Sequence, residues 1–234
     1  MKILALDTAT ENCSAALWVD GSLIQREIES PRGHAELILT MIDELLAQAA
    51  ATLAGLDAIA FGRGPGSFTG VRLAASVTQG LAFGADLPVV PISDLRAVAQ
   101  RALNDRADKN DAMHHILVCN DARMQEVYWG CFERSTDDLM VAVGTEHVSK
   151  PADVHLPGAW TGTLVDAAGR GFGAYAELRE SLRGVLASID ENILPGAREI
   201  ASLAVAEVRA GRVLPPEEAI PVYLRDDVAR PKAP

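Results

Sequence analysis

Between Ser67 and Ala85 a single residue, Arg72, carries a charge. The other positions are Gly, Ala, Val, Leu, Phe, Ser, Thr and Gln, and they follow a glycine-rich loop, "FGRGPGSFTG". A helix is expected over about Phe68 to Phe83, and a helix that is apolar nearly all round is a buried one. In a small α/β unit, helices cover a sheet and expose their backs. Two readings stay open: a second domain covers this helix, or its outer side is an association surface.

The surrounding pattern supports an α/β unit. "KILALDT" is a nearly continuous apolar run, and "SAALWVD" and "SLIQREIE" follow it, separated by the turn signal Asp20-Gly21. A helix is expected from about His34 to Ala50, approached by Ser30-Pro31-Arg32-Gly33. "LDAIAFG" and "LPVVPI" read as strands around the glycine loop, and a helix from about Ser93 to Leu103 closes the unit, with Ser93 as its cap. This is an expected domain over residues 1–103. "NDRADKND", residues 104–111, reads as a linker. Strands resume with "HHILVCNDA", "QEVYWGCFE" and "LMVAVGTEHV", and helical stretches lie near "AYAELRESL" and after Pro195-Gly196. Residues 112–234 are therefore expected to form a second, related α/β domain that ends in a disordered "RPKAP" tail. That relation rests on element order.

Composition excludes some functions. Acidic residues outnumber basic ones by 32 to 21, a net charge of -11. A nucleic-acid binder presents a basic face, so a role on RNA requires a more basic partner. Cys13, Cys119 and Cys131 show no CxxC spacing, which suits a reducing compartment and gives no zinc pattern. No apolar run approaches a membrane span, and the chain reads as soluble and cytoplasmic.

The glycine loop fails three tests. A P-loop needs a lysine, and none lies between Lys2 and Lys109. Gly62 and Gly64 fit a dinucleotide fingerprint, but Ser67 stands where its third glycine belongs. Pro65 and Thr69 flank Ser67 where a nucleophile elbow needs glycine. Gly64-Pro65-Gly66 can be a tight turn with Ser67 or Thr69 capping the helix. The alternative is a weak anion site at a helix N-terminus, with Gly64, Gly66 and Ser67 as its members.

The first helix carries Leu37, Ile38, Met41, Ile42, Leu45 and Leu46 across an arc of roughly 180°. A surface helix buries about 100°. The excess suggests a second burial partner, and Leu37, Ile38, Met41, Ile42 and Leu45 with Phe68, Arg72, Ala75 and Val77 are its candidate contacts.

"ILALDTATENCSAAL", "GRGPGSFTGVRLAASVTQGLA" and "PVYLR" resemble the TsaB (YeaZ) family, the dimerisation subunit of the bacterial machinery that makes threonylcarbamoyladenosine in tRNA. The resemblance covers the first 100 or so residues well, and Pro221 to Arg225. It implies an actin-like or Hsp70-like ATPase (ASKHA) fold in two α/β domains. It also implies pairing with TsaD, the related catalytic subunit, through the first two helices. TsaE would join that pair, TsaC would supply threonylcarbamoyl-adenylate, and the chain alone would form a homodimer through the same surface. Transfer RNA would be met only through the complex.

Catalytic relatives carry a metal-binding HxxxH after the fifth strand. Laid on "PISDLRAVA", that pattern falls on Asp94 and Val98, and valine ligates no metal. No histidine lies between His34 and His114, and His114, His115, His147 and His155 make no replacement site. Asp7 ends the first strand, where actin-like enzymes place an acid near nucleotide-bound magnesium, and Thr8 and Thr10 follow it. It can equally be a turn residue bonding local amides. The expectation is a noncatalytic scaffold that requires no cofactor, with weak binding of ATP and magnesium open. The competing expectation is a stand-alone actin-like kinase or nucleotidase, for which no phosphate clamp is evident.

Overall fold

The structure, a computed structural model, describes residues 1–106 and 115–225. Most of the expected linker (107–111), His114 and the expected disordered tail lie outside the described residues. The first half contains β1 (Lys2–Asp7), β2 (Asn12–Val19), β3 (Ser22–Glu29), α1 (His34–Gln48), β4 (Ala58–Gly62), α2 (Phe68–Ala85), β5 (Val89–Ile92) and α3 (Asp94–Asn104). The second contains β6 (His115–Asp121), β7 (Val127–Arg134), β8 (Met140–Ser149), β9 (Val165–Ala168), α4 (Gly171–Ala174), α5 (Ala176–Ser181), β10 (Leu186–Asp190) and α6 (Ala197–Arg209). Asn104, expected to open the linker, closes α3.

The two sheets have one topology. The first runs β3-β2-β1-β4-β5, with β1–β2 and β2–β3 antiparallel and β1–β4 and β4–β5 parallel. The second runs β8-β7-β6-β9-β10, with antiparallel and parallel pairs in the same places. Two copies of this mixed sheet make the actin-like (ASKHA) α/β fold that the resemblance implied. A short sequence repeat marks the duplication. Gly62-Arg63-Gly64-Pro65-Gly66 begins on the last residue of β4, and Gly169-Arg170-Gly171-Phe172-Gly173 follows β9. Arg63 reaches Glu146 on β8 (3.1 Å), and Arg170 reaches Glu29 on β3 (2.8 Å). Each loop thus ties its own half to the other.

Both faces of the first sheet are covered, which is why β1 reads as continuously apolar. Leu4, Leu6, Leu17, Ile59 and Phe61 point to the side of α1 and α2, and Ile3, Ala5, Ala16, Ala58 and Ala60 to the opposite side. The helix on that opposite side is α6, which the sequence reading placed in the second domain. Its Ala197, Ala201 and Ala204 meet the alanines of the sheet, and small residues on both surfaces let the two backbones approach closely. The reciprocal exchange holds for α3, expected in the first domain. Its Leu95, Val98, Ala99 and Leu103 pack on Ile116, Val118 and Phe132 of the second sheet. The helices α3 and α6 also touch each other, so the halves interlock through exchanged helices. Among the described residues no helix is long and apolar enough to cross a membrane.

Candidate functional site

The glycine loop turns tightly against the hairpin between β1 and β2. A Cβ at Gly66 would sit 2.6 Å from the Ala9 carbonyl oxygen, and one at Gly70 would strike the Thr8 backbone. Gly64 has φ +101°, a conformation that favours glycine. Ser67 N–H donates to Ala9 O (2.7 Å), Thr8 Oγ1 donates to Gly70 O (2.7 Å), and the Ser67 hydroxyl accepts from Gly70 N–H (3.1 Å) as the cap of α2. Close backbone contact accounts for these glycines without a ligand.

Asp7 lies beneath this loop, fully buried, with Asp94 of α3 against it. Asp7 Oδ1 accepts from Ala9 N–H (2.8 Å), and Asp94 Oδ2 accepts from Gly64 N–H. No further donor reaches Asp7 Oδ2 or Asp94 Oδ1 among the described residues. A proton held between the carboxyls supplies the donor that both lack. Burial, reinforced by the charge of Asp7, pushes the Asp94 carboxyl well above the ordinary range. Burial pushes Asp7 up to about 6, against the Ala9 N–H and Asp94 hydrogen bonds that lower it. Asp94, raised by the charge of Asp7 as well as by burial, is the carboxyl of the pair that favours its protonated form. Sequence reasoning considered Asp94 only as a broken metal ligand. Its pairing with Asp7 spans 87 positions, and no local signal announces it. Among the described residues no group of three His, Cys, Asp or Glu side chains is arranged for a metal ion.

A cavity of about 690 Å³ opens between the N-termini of α1 and α2 and the β6–β7 turn. Thr10, Gly66 and Ser67 line it, together with Arg123, Met124 and Tyr223. Asp7 and Thr8, grouped with them in the sequence reading, have no exposed surface and do not line it. Gly64 is also buried. Of the three arginines that line the cavity, Arg123 is paired with Asp121 and Glu11 and Arg225 with Glu126, and Arg32 has no carboxylate partner among the described residues.

The expected association residues divide into two sets. Ile38, Met41, Ile42, Leu45 and Ala75 are buried in the core of the first half, so they present nothing to a partner. The wide apolar arc of α1 is absorbed by the chain's own sheet and helices, with Leu37 and Leu46 half-buried at its edges. The other set lies outward. Phe68 and Arg72 are exposed and Val77 is half-buried on α2. They continue into Thr69, Leu73, Ser76, Gly80, Phe83 and Gly84, an outer face without any charge but Arg72. Phe83 is 60% exposed and Leu39 of α1 is 49% exposed. The described residues of the second half leave this face open.

The chain's last described segment runs along one flank of α2. Leu214 pairs with Val89, Glu217 O accepts from Gln79 Nε2 (3.2 Å), and Val222 N–H donates to Arg63 O (2.7 Å). Tyr223 OH accepts from Arg72 Nε (2.7 Å). Arg225 then donates to Ala122 O (3.1 Å) and pairs with Glu126 in the second half. Sequence reasoning used "PVYLR" as a family mark and assigned it no place. Only the fold brings Tyr223 to Arg72.

The family model described as "TsaD: tRNA N6-adenosine threonylcarbamoyltransferase" matches residues 27–232. The chain is 40% identical to the tRNA threonylcarbamoyladenosine biosynthesis protein TsaB of Escherichia coli (strain K12), over 100% of this chain and 99% of that protein. It is 39% identical to the TsaB of Haemophilus influenzae, over 100% of this chain and 98% of that one. The solved structure of YeaZ from Pseudomonas aeruginosa superposes with a TM-score of 0.84 at 39% identity, covering 95% of this chain and 99% of that chain. On this full-length similarity and the two-sheet fold it shares with YeaZ, the chain belongs to the TsaB (YeaZ) family of tRNA threonylcarbamoyladenosine biosynthesis proteins.

Proposed function

We propose that this chain is a noncatalytic subunit that binds and activates the TsaD threonylcarbamoyltransferase in tRNA threonylcarbamoyladenosine formation. The observation that carries this reading is the exposed, almost uncharged outer face of α2. A helix face bearing Leu73, Val77 and Phe83 with glycines between them is poorly suited to water and well suited to a second helix. Each large side chain buried there contributes about 1.5–3 kcal/mol before association costs.

Val98 at a position where catalytic relatives carry a metal ligand argues against chemistry by this chain. In the complex TsaE joins the pair, TsaC supplies threonylcarbamoyl-adenylate, and tRNA is held by the more basic partners. All of this takes place in the cytoplasm. Without TsaD, the same face pairs two copies of the chain.

Size-exclusion chromatography with TsaD of the same organism tests the reading. Val77→Asp is expected to abolish co-elution at some cost in stability, because Val77 also packs on the core, and Phe83→Glu to abolish it while leaving thermal unfolding of the isolated chain nearly unchanged. Co-elution that survives Val77→Asp and Phe83→Glu would refute it.

A further inference from the structure

Arg72 is the one charge on the outer face of α2, and no carboxylate pairs with it among the described residues. Most of the described arginines do otherwise, and only Arg32 and Arg209 share this lack of a carboxylate. Arg63, Arg96, Arg101, Arg170 and Arg225 each meet an acid. The guanidinium of Arg72 is held by two aromatic rings instead. Its carbon lies 3.5 Å from the ring centre of Phe68 and 5.4 Å from that of Tyr223. Its Nε donates to Tyr223 OH at 2.7 Å. Both rings are themselves open to solvent, Phe68 by 53% and Tyr223 by 46%.

An arginine fixed in this way has little rotamer freedom left to lose on binding. Of its five N–H donors one is used, and the four on the Nη atoms remain. Those donors match the fork of a carboxylate. The surround is apolar, with Leu73, Val77 and Phe83 on the same helix. Arginine and tyrosine held in such a patch are the residues that dominate protein interfaces. A phosphate backbone would require several cations together, and this face has one on a chain of net charge -11.

We infer that Phe68, Arg72 and Tyr223 form the anchor of the docking face, and that the protein partner brings a carboxylate to the Nη edge of Arg72 from within an otherwise apolar patch. The inference rests on the TsaD-docking reading above. It extends the docking face from α2 onto the C-terminal segment, which supplies Tyr223.

The test is titration calorimetry of the full chain with TsaD of the same organism, at about 0.1 M and about 0.5 M salt. Arg72→Gln is expected to weaken binding by about 30-fold or more, the loss of a central anchor. Arg72→Lys should lose most of that affinity, because an ammonium cannot fork a carboxylate. Tyr223→Phe should lose several-fold. Wild-type affinity should fall with salt, and that of Arg72→Gln should respond much less. Thermal unfolding of each variant checks that the fold is kept. If Val77→Asp abolishes binding while Arg72→Gln stays within about two-fold of wild type, the anchor is wrong and the docking face stands. If Val77→Asp binds TsaD normally, the docking reading fails and the anchor falls with it. If Arg72→Gln keeps its affinity for TsaD but the complex no longer retains tRNA, the ligand of Arg72 is a phosphate and the inference is overturned.

Discussion

Asp7 and Asp94 set two carboxyl groups against each other with no exposed surface on either, one at the end of β1 and the other in the first turn of α3. Both groups hold protons more tightly in the folded chain than the unfolded value of 3.8. The stabilisation from this pair is complete below 3.8. It is lost as pH rises from there through about 6 for Asp7, and as pH rises through the raised value of Asp94. Asp94→Asn keeps an acceptor for Gly64 N–H and gives Asp7 an amide donor in place of the shared proton. We expect it to stabilise the protein by about 1–2 kcal/mol at neutral pH, with the gain shrinking toward about pH 4. Urea unfolding of both proteins across that range measures the difference. A gain that does not vary with pH would exclude the shared proton.

The two sides of the α1–α2 layer should respond oppositely to charge. Met41 is 8% exposed and packed in the core of the first half, so Met41→Asp is expected to cost about 3 kcal/mol or more and to lower Tm sharply. Phe83→Glu replaces an exposed ring and should leave stability within about 0.5 kcal/mol, while disrupting the complex with TsaD. Differential scanning calorimetry beside co-elution separates the two effects. Similar Tm losses for both variants would contradict the observed division of buried and exposed residues.

Two glycines make a second contrast. Gly66→Ala drives a methyl onto the Ala9 carbonyl, where neither backbone can withdraw, and should cost about 2 kcal/mol or more. Gly80 sits inside α2 with open space where its Cβ would be, so Gly80→Ala should raise monomer stability by about 0.5–1 kcal/mol. If helices approach closely over α2, that same substitution should weaken TsaD binding even as it raises Tm. Stability and affinity that rise together would show that the glycine serves no contact.

Binding of Mg-ATP to the isolated chain should be weak. The cavity at the two helix N-termini is lined by Ser67 and Thr10 but receives neither Asp7 nor a lysine; Arg123 is neutralised by Asp121 and Glu11 and Arg225 by Glu126, which leaves only Arg32 without a carboxylate among the described residues. Calorimetry is expected to give a dissociation constant weaker than about 100 μM and no turnover. Micromolar binding with hydrolysis would favour the stand-alone kinase or nucleotidase reading.

Local chemistry made much of this fold legible. The strands of the first half, the three helices that follow them and the Ser67 and Ser93 caps all lie close to where apolar period and turn residues put them, because such signals act over a few neighbours. The expected end of α1 at Ala50 was two residues late. Ala50 has φ 47°, and the chain has already left the helix at Gln48. The duplicated loop, Gly62-Arg63-Gly64 against Gly169-Arg170-Gly171, was also present in the letters, but a comparison of element order alone passes over five residues.

The sequence by itself determined that this chain has two α/β halves, that the glycine loop turns into a capped helix, and that α2 carries a single charge. Only the tertiary structure decided which apolar residues remain exposed, since a helix's pattern counts its apolar positions without saying which neighbours cover them. It likewise decided that α3 and α6 exchange halves, that Asp94 meets Asp7, and that Tyr223 reaches Arg72 across 151 positions. Each of these depends on contacts between segments distant in the chain, and such contacts form only when the sheets and helices have packed.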